Sequence, residues 1–179
     1  MNEMQEILEF WFSPRIGKHW FASTPALDEE IRTRFETLWQ QAAAGTHDAW
    51  AESATGALAL IIVLDQLPLN MYRGKPAAFS TEQKAVAITR LAVDAGFHRT
   101  LVDQQRLFLF LPLMHSENPA DQDLSVSLFQ QAGMDTHWPE HHRQIVQRFG
   151  RFPHRNAILG RTSTPEEQAY LASGEAFKG

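Results

Sequence analysis

Residues 57–74 read ALALIIVLDQLPLNMYRG, an apolar stretch that runs directly into a polar cluster. Leu58, Ile61 and Asp65 recur at intervals of three and four residues, which is the spacing of one face of an α-helix. Residues 57–64 are an unbroken apolar run, but it is much shorter than the roughly 20 residues that a membrane span needs. The stretch therefore predicts a buried core helix, which we expect Pro68 to stop.

A second stretch, residues 107–114, has the same character and is followed by His115-Ser116-Glu117-Asn118. His115 lies four residues after Leu111 and seven after Phe108, so it continues an apolar helix face as Asp65 does. An ionisable group in such a position is costly to bury unless it is paired or hydrogen-bonded. We therefore expect both Asp65 and His115 to have polar partners.

The remainder of the chain carries helix signals and almost no strand alternation. Thr24-Pro25 and Thr164-Pro165 each place an N-cap residue before a proline at the first helical position. Ser80 and Gln83 have the spacing of a capping box. The sequence predicts an all-α protein of about eight helices in antiparallel pairs, and its length predicts that residues 1–179 form a single domain.

Composition excludes several classes of function. The chain has no cysteine, which excludes disulfides, thiol nucleophiles and thiolate zinc sites. Its 16 Lys and Arg against 21 Asp and Glu give a net charge of −5, which argues against a nucleic-acid partner. The start of the chain is acidic where a signal peptide would be basic. We expect a cytoplasmic protein with no membrane association.

The sequence favours neither a metal site nor a cofactor. His137 and His141 are four residues apart, but Pro139 lies between them and predicts that His137 precedes the helix and faces elsewhere. No His-Glu-x-x-His motif and no phosphate-binding glycine loop are present. We therefore predict no metal and no cofactor.

One segment is strongly basic inside this acidic protein. No Asp or Glu occurs between His141 and Pro165. The same window holds five arginines: Arg143, Arg148, Arg151, Arg155 and Arg161. Such a segment either binds an anion through arginine forks or docks onto the protein's own carboxylates, Asp65 and Glu117 included. The second interpretation leads, because structural ion-pair networks also concentrate ionisable groups.

Three motifs occur in a fixed order: DQLPLNMYRG at 65–74, FLFLPLMHSE at 108–117 and GRFPHRN at 150–156. Together they make the chain resemble the bacterial domain-of-unknown-function family 924 over almost its whole length. The resemblance implies an all-α fold similar to tetratricopeptide-like right-handed helical arrays, and it implies no settled activity. The sequence departs from the usual family pattern at three positions: Leu67 in place of Phe, Leu69 in place of Arg, and Phe110 in place of Tyr.

Three hypotheses about function follow. The first is a pocket for a small anionic ligand or peptide, formed where the ends of the two buried helices meet residues 151–161. Its residues are Asp65, Asn70, Arg73, His115, Glu117, Arg151, His154, Arg155, Asn156 and Arg161. Arg73, Arg155 and Arg161 would bind the anion. The second is a small hydrolase or transferase in which His115 is the general base. The third is a scaffold that binds a protein partner.

Overall fold

The computed structural model describes residues 2–174, 176 and 177, and this part of the chain contains helices and turns but no strand. The prediction of an all-α protein is confirmed. The described residues contain nine α-helices: α1 (Glu3–Trp11), α2 (Pro14–Gly17), α3 (Pro25–Ala43), α4 (Ala54–Met71), α5 (Glu82–Asp94), α6 (Asp103–His115), α7 (Pro119–Gln131), α8 (His137–Phe149) and α9 (Pro165–Ala172).

The chain divides into two compact units. The first comprises the residues up to Arg73 together with Ala77–Pro112. The second comprises Gly74–Pro76 and the residues from Leu113 onward. The single-domain organisation and the tetratricopeptide-like arrangement stay predictions.

Helix α4 is the core of the first unit. Every residue from position 57 to position 64 is completely buried. Helix α4 is long and apolar enough to cross a membrane by length and composition alone. However, 78% of it is buried inside the protein, as expected for the core helix of a soluble protein. The same core contains Trp11 and Phe108, whose rings pack edge to face with centroids 5.5 Å apart.

The prediction that Pro68 stops α4 is wrong, because the helix continues to Met71 through a π-helical turn at Ile62–Gln66. Proline has no N–H to donate, and its ring crowds the carbonyl four residues earlier. The wider turn relieves this crowding, and the Leu67 N–H donates to a carbonyl five residues back. The carbonyl that Pro68 cannot serve in an α-helical pattern is that of Leu64.

A side chain next to α5 supplies the missing hydrogen bond. The Thr81 hydroxyl donates to the Leu64 carbonyl at 2.5 Å and accepts a hydrogen bond from Trp39 Nε1 at 3.1 Å. Thr81 is the N-cap residue of α5, yet its side chain makes no capping bond. Ser80 does not cap α5 either, since its hydroxyl donates to the Ala77 carbonyl at 2.8 Å. The predicted capping box at Ser80 is therefore wrong.

The second unit is built on α7 and α8. Asp123 in the first half of α7 pairs with Arg143 in the middle of α8 at 3.6 Å, as expected for antiparallel helices joined by a short turn. Ile145 of α8 belongs to a hydrophobic cluster with Phe152 and Tyr170.

We expect Thr81→Val to lower the free energy of unfolding by about 1–3 kcal/mol, because it leaves the buried Leu64 carbonyl without a donor. Urea denaturation measures this change. Thr100→Val is the matched control, since the Thr100 hydroxyl is exposed and donates to the Phe97 carbonyl, three residues earlier. Equal losses in the two variants would contradict the proposed role of Thr81.

Candidate functional site

The predicted site residues of the first unit begin with Asp65, in the π-helical turn of α4. Its carboxylate is 4% exposed and accepts a hydrogen bond from the neighbouring Gln66 side chain. Asp65 thus has the polar partner that its position on an apolar face requires.

Asn70 and Arg73, also in the first unit, both point to a carboxylate that the sequence did not suggest. Asn70 Nδ2 donates to Asp28 at 2.7 Å, and Arg73 Nε donates to it at 2.9 Å. Ser23 adds a third donor at 2.7 Å. Burial raises the pKa of Asp28, but these three hydrogen bonds outweigh burial and leave its pKa below the usual value. Arg73 is therefore paired within its own unit.

In the second unit, the end of α6 is held by a buried glutamine. Gln122 is completely buried, and its Nε2 group lies within hydrogen-bond distance of the carbonyls of Leu113, Met114 and Ser116. The Leu113 carbonyl also accepts the Ser116 N–H at 3.3 Å, and the glutamine adds hydrogen bonds at a helix end, where backbone donors run out. Because Gln122 holds the Ser116 carbonyl, it also positions Glu117, the residue after Ser116.

Glu117 binds Arg161 through both carboxylate oxygens, at 2.7 and 2.9 Å. It also accepts the Phe152 N–H at 2.7 Å. Burial raises the pKa of Glu117. The Arg161 guanidinium and the Phe152 N–H lower it by more than burial raises it, so the pKa of Glu117 lies below the usual value. Glu117 is thus a charged carboxylate whose two oxygens both already accept hydrogen bonds.

A second carboxylate, Glu167 at the start of α9, binds Arg151 through both of its oxygens. Two hydrogen bonds of 2.6 and 2.8 Å join them, and the Thr164 N–H adds a third at 2.7 Å. Arg151 and the Thr164 N–H outweigh the effect of burial and lower the pKa of Glu167 to about 2. Asn156 links the two ion pairs, because it donates to Glu167 at 3.2 Å and accepts from Arg161 Nε at 2.9 Å. We call these five side chains the Glu117–Glu167 network.

Arg155 lies next to this network and is 6% exposed. Its Nη2 group donates to the main-chain carbonyl of His115 at 2.9 Å. The guanidinium also lies 4.8 Å from the centroid of the Phe152 ring, in a cation–π contact.

Two imidazoles are held neutral in the second unit. Burial lowers the pKa of His142 to about 3 and that of His154 to about 4. His142 Nδ1 bonds the Trp138 carbonyl at 2.8 Å. His154 Nδ1 is buried without a hydrogen-bond partner among the described residues.

Arg148 in α8 differs from the arginines of the network. It bonds Glu166 through Nε alone, at 2.9 Å, and its two terminal nitrogens have no hydrogen-bond partner in the described part of the chain. By contrast, Arg161 uses all three of its guanidinium nitrogens within the protein.

Arg148 lines a cavity of about 630 Å³ formed by α8, α9 and the chain after α9. Its walls are mainly aromatic, from Trp138, Phe149, Tyr170 and Phe177, and the two imidazoles of His137 and His141 complete the polar lining together with Gln144. None of the described lining residues is a carboxylate.

The structure corrects the prediction for His137. This residue is the first of α8, so it lies inside the helix and on the same face as His141. Their rings are nearly parallel, at 7°, with centroids 6.5 Å apart. Pro139 does not disturb the helix because it occupies the first turn, where backbone N–H groups have no helical partner.

Comparison with known proteins fits this architecture. Residues 7–175 match the bacterial proteins of unknown function grouped as DUF924. The chain belongs to this family. The solved structure of ATU0120, a protein of unknown function from Agrobacterium tumefaciens, is similar with a TM-score of 0.90 and 38% sequence identity. The similarity covers 96% of this chain and 97% of that one. None of the curated proteins compared matches the chain.

The DUF924 motifs contain much of the Glu117–Glu167 network, since residues 108–117 include Glu117 and residues 150–156 include Arg151 and Asn156. Two acidic residues that sequence reasoning missed are Asp28 and Glu167. Glu167 had a local signal, because Thr164 and Glu167 have capping-box spacing and form that box. Asp28 had no signal as a partner of Asn70 and Arg73, since these two residues lie more than 40 positions further along the chain.

Breaking the buried charge at Glu167 should be costly. We expect Glu167→Gln to lower the free energy of unfolding by about 2–4 kcal/mol, because Arg151 loses its counter-ion. The adjacent Glu166→Gln is the control: its side chain is 61% exposed, so its loss should stay below about 1 kcal/mol. Urea denaturation of both variants decides, and a similar cost at both positions would count against the network.

The buried imidazoles predict a pH dependence. Their folded pKa values lie below the ordinary value of about 6.5, so the unfolded chain binds more protons than the folded chain as the pH falls below that value. Stability is therefore full above pH 6.5 and is lost towards pH 4. His154→Leu should flatten the slope by at most about 1.4 kcal/mol per pH unit. Urea denaturation at pH 7, 6 and 5 tests this, and an unchanged slope would exclude His154 as a cause.

Proposed function

We propose that this DUF924 protein binds a small organic anion with an aromatic or apolar body in the cavity of the second unit. The observation that carries the proposal is the half-engaged guanidinium of Arg148 on the cavity wall. Terminal guanidinium nitrogens are strong donors to a carboxylate or phosphate, and they bind best in a fork.

The Glu117–Glu167 network supports this choice of arginine. Arg151 and Arg161 are already neutralised by carboxylates of the protein, so an incoming anion would have to displace a bidentate partner. Arg148 would give up at most one exposed hydrogen bond to Glu166. The free-energy cost of binding an anion is therefore lower at Arg148.

The remaining walls define the rest of the ligand. Ligand pockets are usually about 300–1,000 Å³, with mainly apolar and aromatic walls and few polar groups, and this cavity has that composition. Trp138 is 51% exposed, so a flat ligand that covers it would also remove apolar surface from water. A planar body with one negative group fits both features.

The alternative of a hydrolase or transferase in which His115 is the general base has less support, because the neighbouring Glu117 is not available to assist it. Both oxygens of Glu117 already accept hydrogen bonds, and its lowered pKa makes it a weaker base. A scaffold function is supported by no particular contact of the described residues.

Isothermal titration calorimetry with indole-3-acetate and its neutral analogue indole-3-acetamide tests the proposal. We expect the acetate to bind about tenfold more tightly than the amide, since one charged hydrogen bond contributes about 1.5–3 kcal/mol. Arg148→Gln should remove the preference. Glu166→Gln should tighten acetate binding, because it frees the remaining Arg148 donor.

Arg143→Gln is the control on the same helix, because Arg143 pairs with Asp123 and does not line the cavity. It should leave the preference for the acetate unchanged. Equal binding of the two ligands by the wild-type protein, or no binding of either, would overturn the proposal.

A further inference from the structure

His137 and His141 form a pair of imidazoles whose ring nitrogens are available. Both rings lie on one face of α8 and stack at 6.5 Å. Neither ring makes a hydrogen bond to another described residue, whereas the neighbouring His142 ring bonds the Trp138 carbonyl. Imidazole nitrogens are good metal ligands, and because their lone pairs lie in the ring planes, rotation of one of these two parallel rings lets both bind one ion.

The two rings differ in how firmly they are held. His141 packs edge-on against Trp138 at 5.9 Å and against Phe177 at 6.2 Å, so aromatic contacts orient it. His137 is exposed, and among the described residues its ring packs against the rings of Trp138 and His141. One ring is thus positioned, and rotation of the other about its side-chain bonds can bring a nitrogen within reach of an ion bound to the first.

We propose that His137 and His141 together bind a divalent transition-metal ion of the zinc or nickel type at the edge of the cavity. Residues four apart on a helix are surface neighbours, and zinc takes imidazole nitrogens at about 2.0–2.1 Å. Imidazole donors select these ions over Mg²⁺, which prefers oxygen ligands. Glu140 completes the spacing His-x-x-Glu-His, in which one class of zinc enzymes binds its metal through the two histidines.

This site would leave coordination positions open. The described residues contain no group of three or more His, Cys, Asp or Glu side chains that could hold a metal. Two imidazoles therefore supply the protein ligands, and water fills the other positions. The inference does not depend on the anion proposal, since it uses neither Arg148 nor an organic ligand.

Calorimetric titration of the untagged chain with zinc chloride and nickel chloride tests the inference, without any organic ligand. We expect one equivalent of either ion to bind. His137→Gln and His141→Gln should each weaken binding by at least about tenfold, because each removes half of a chelate. The double variant should bind little more weakly than either single variant. Magnesium chloride should give no binding.

His19→Gln is the matched control, since His19 lies in the first unit and its ring bonds the Ala22 carbonyl. It should bind zinc as the wild type does, and circular dichroism should show all variants folded. Wild-type affinity in either His137→Gln or His141→Gln would overturn the inference. So would independent, additive losses, which indicate two separate weak sites.

Discussion

The bidentate ion pair between Glu117 and Arg161 is the interaction on which the polar architecture of the second unit depends. It joins Glu117, two residues after α6, to a loop more than 40 positions later, and the Phe152 N–H donates to the same carboxylate. Asn156 passes the connection on to Glu167 and Arg151. Each charged group of the Glu117–Glu167 network has a counter-charge, which is the condition under which partly buried ions are tolerated.

This arrangement also determines which arginines can act on a ligand. The sequence does not distinguish the arginines of the basic segment from one another. The fold pairs Arg151 and Arg161 with carboxylates of the protein itself. Arg148 lies on the helix face beside the aromatic cavity and keeps its terminal nitrogens available. The two imidazoles of His137 and His141 lie on the same face, so α8 carries the side chains that we propose bind the anion and the metal ion.

Helix-forming patterns and the internal pairing of the basic segment with Glu117 could be predicted from the sequence, because both follow from local spacing and charge balance. Pro68 could not be judged locally, because whether a proline ends a helix depends on a substitute donor. Here that donor is Thr81, 17 residues after the Leu64 carbonyl that it bonds. His137 was misjudged for a related reason, since Pro139 is harmless in a first turn but disruptive further in. Long-range acceptors such as Asp28 leave no local signal, and the position of a cavity depends on packing.

Arg151 and Arg161 each bind a carboxylate through two nitrogens, whereas Arg148 bonds Glu166 through Nε alone. Nitrogen-15 NMR of the arginine side chains, assigned with single Arg→Lys variants, measures hydrogen exchange at the terminal Nη–H groups of each guanidinium, which among the described residues are hydrogen-bonded in Arg151 and Arg161 but not in Arg148. The structure predicts that Arg151 and Arg161 exchange more slowly than Arg148, on the order of tenfold, because protected hydrogen bonds must open before exchange. Equal exchange rates at the three arginines would contradict the difference in pairing between Arg148 and the other two.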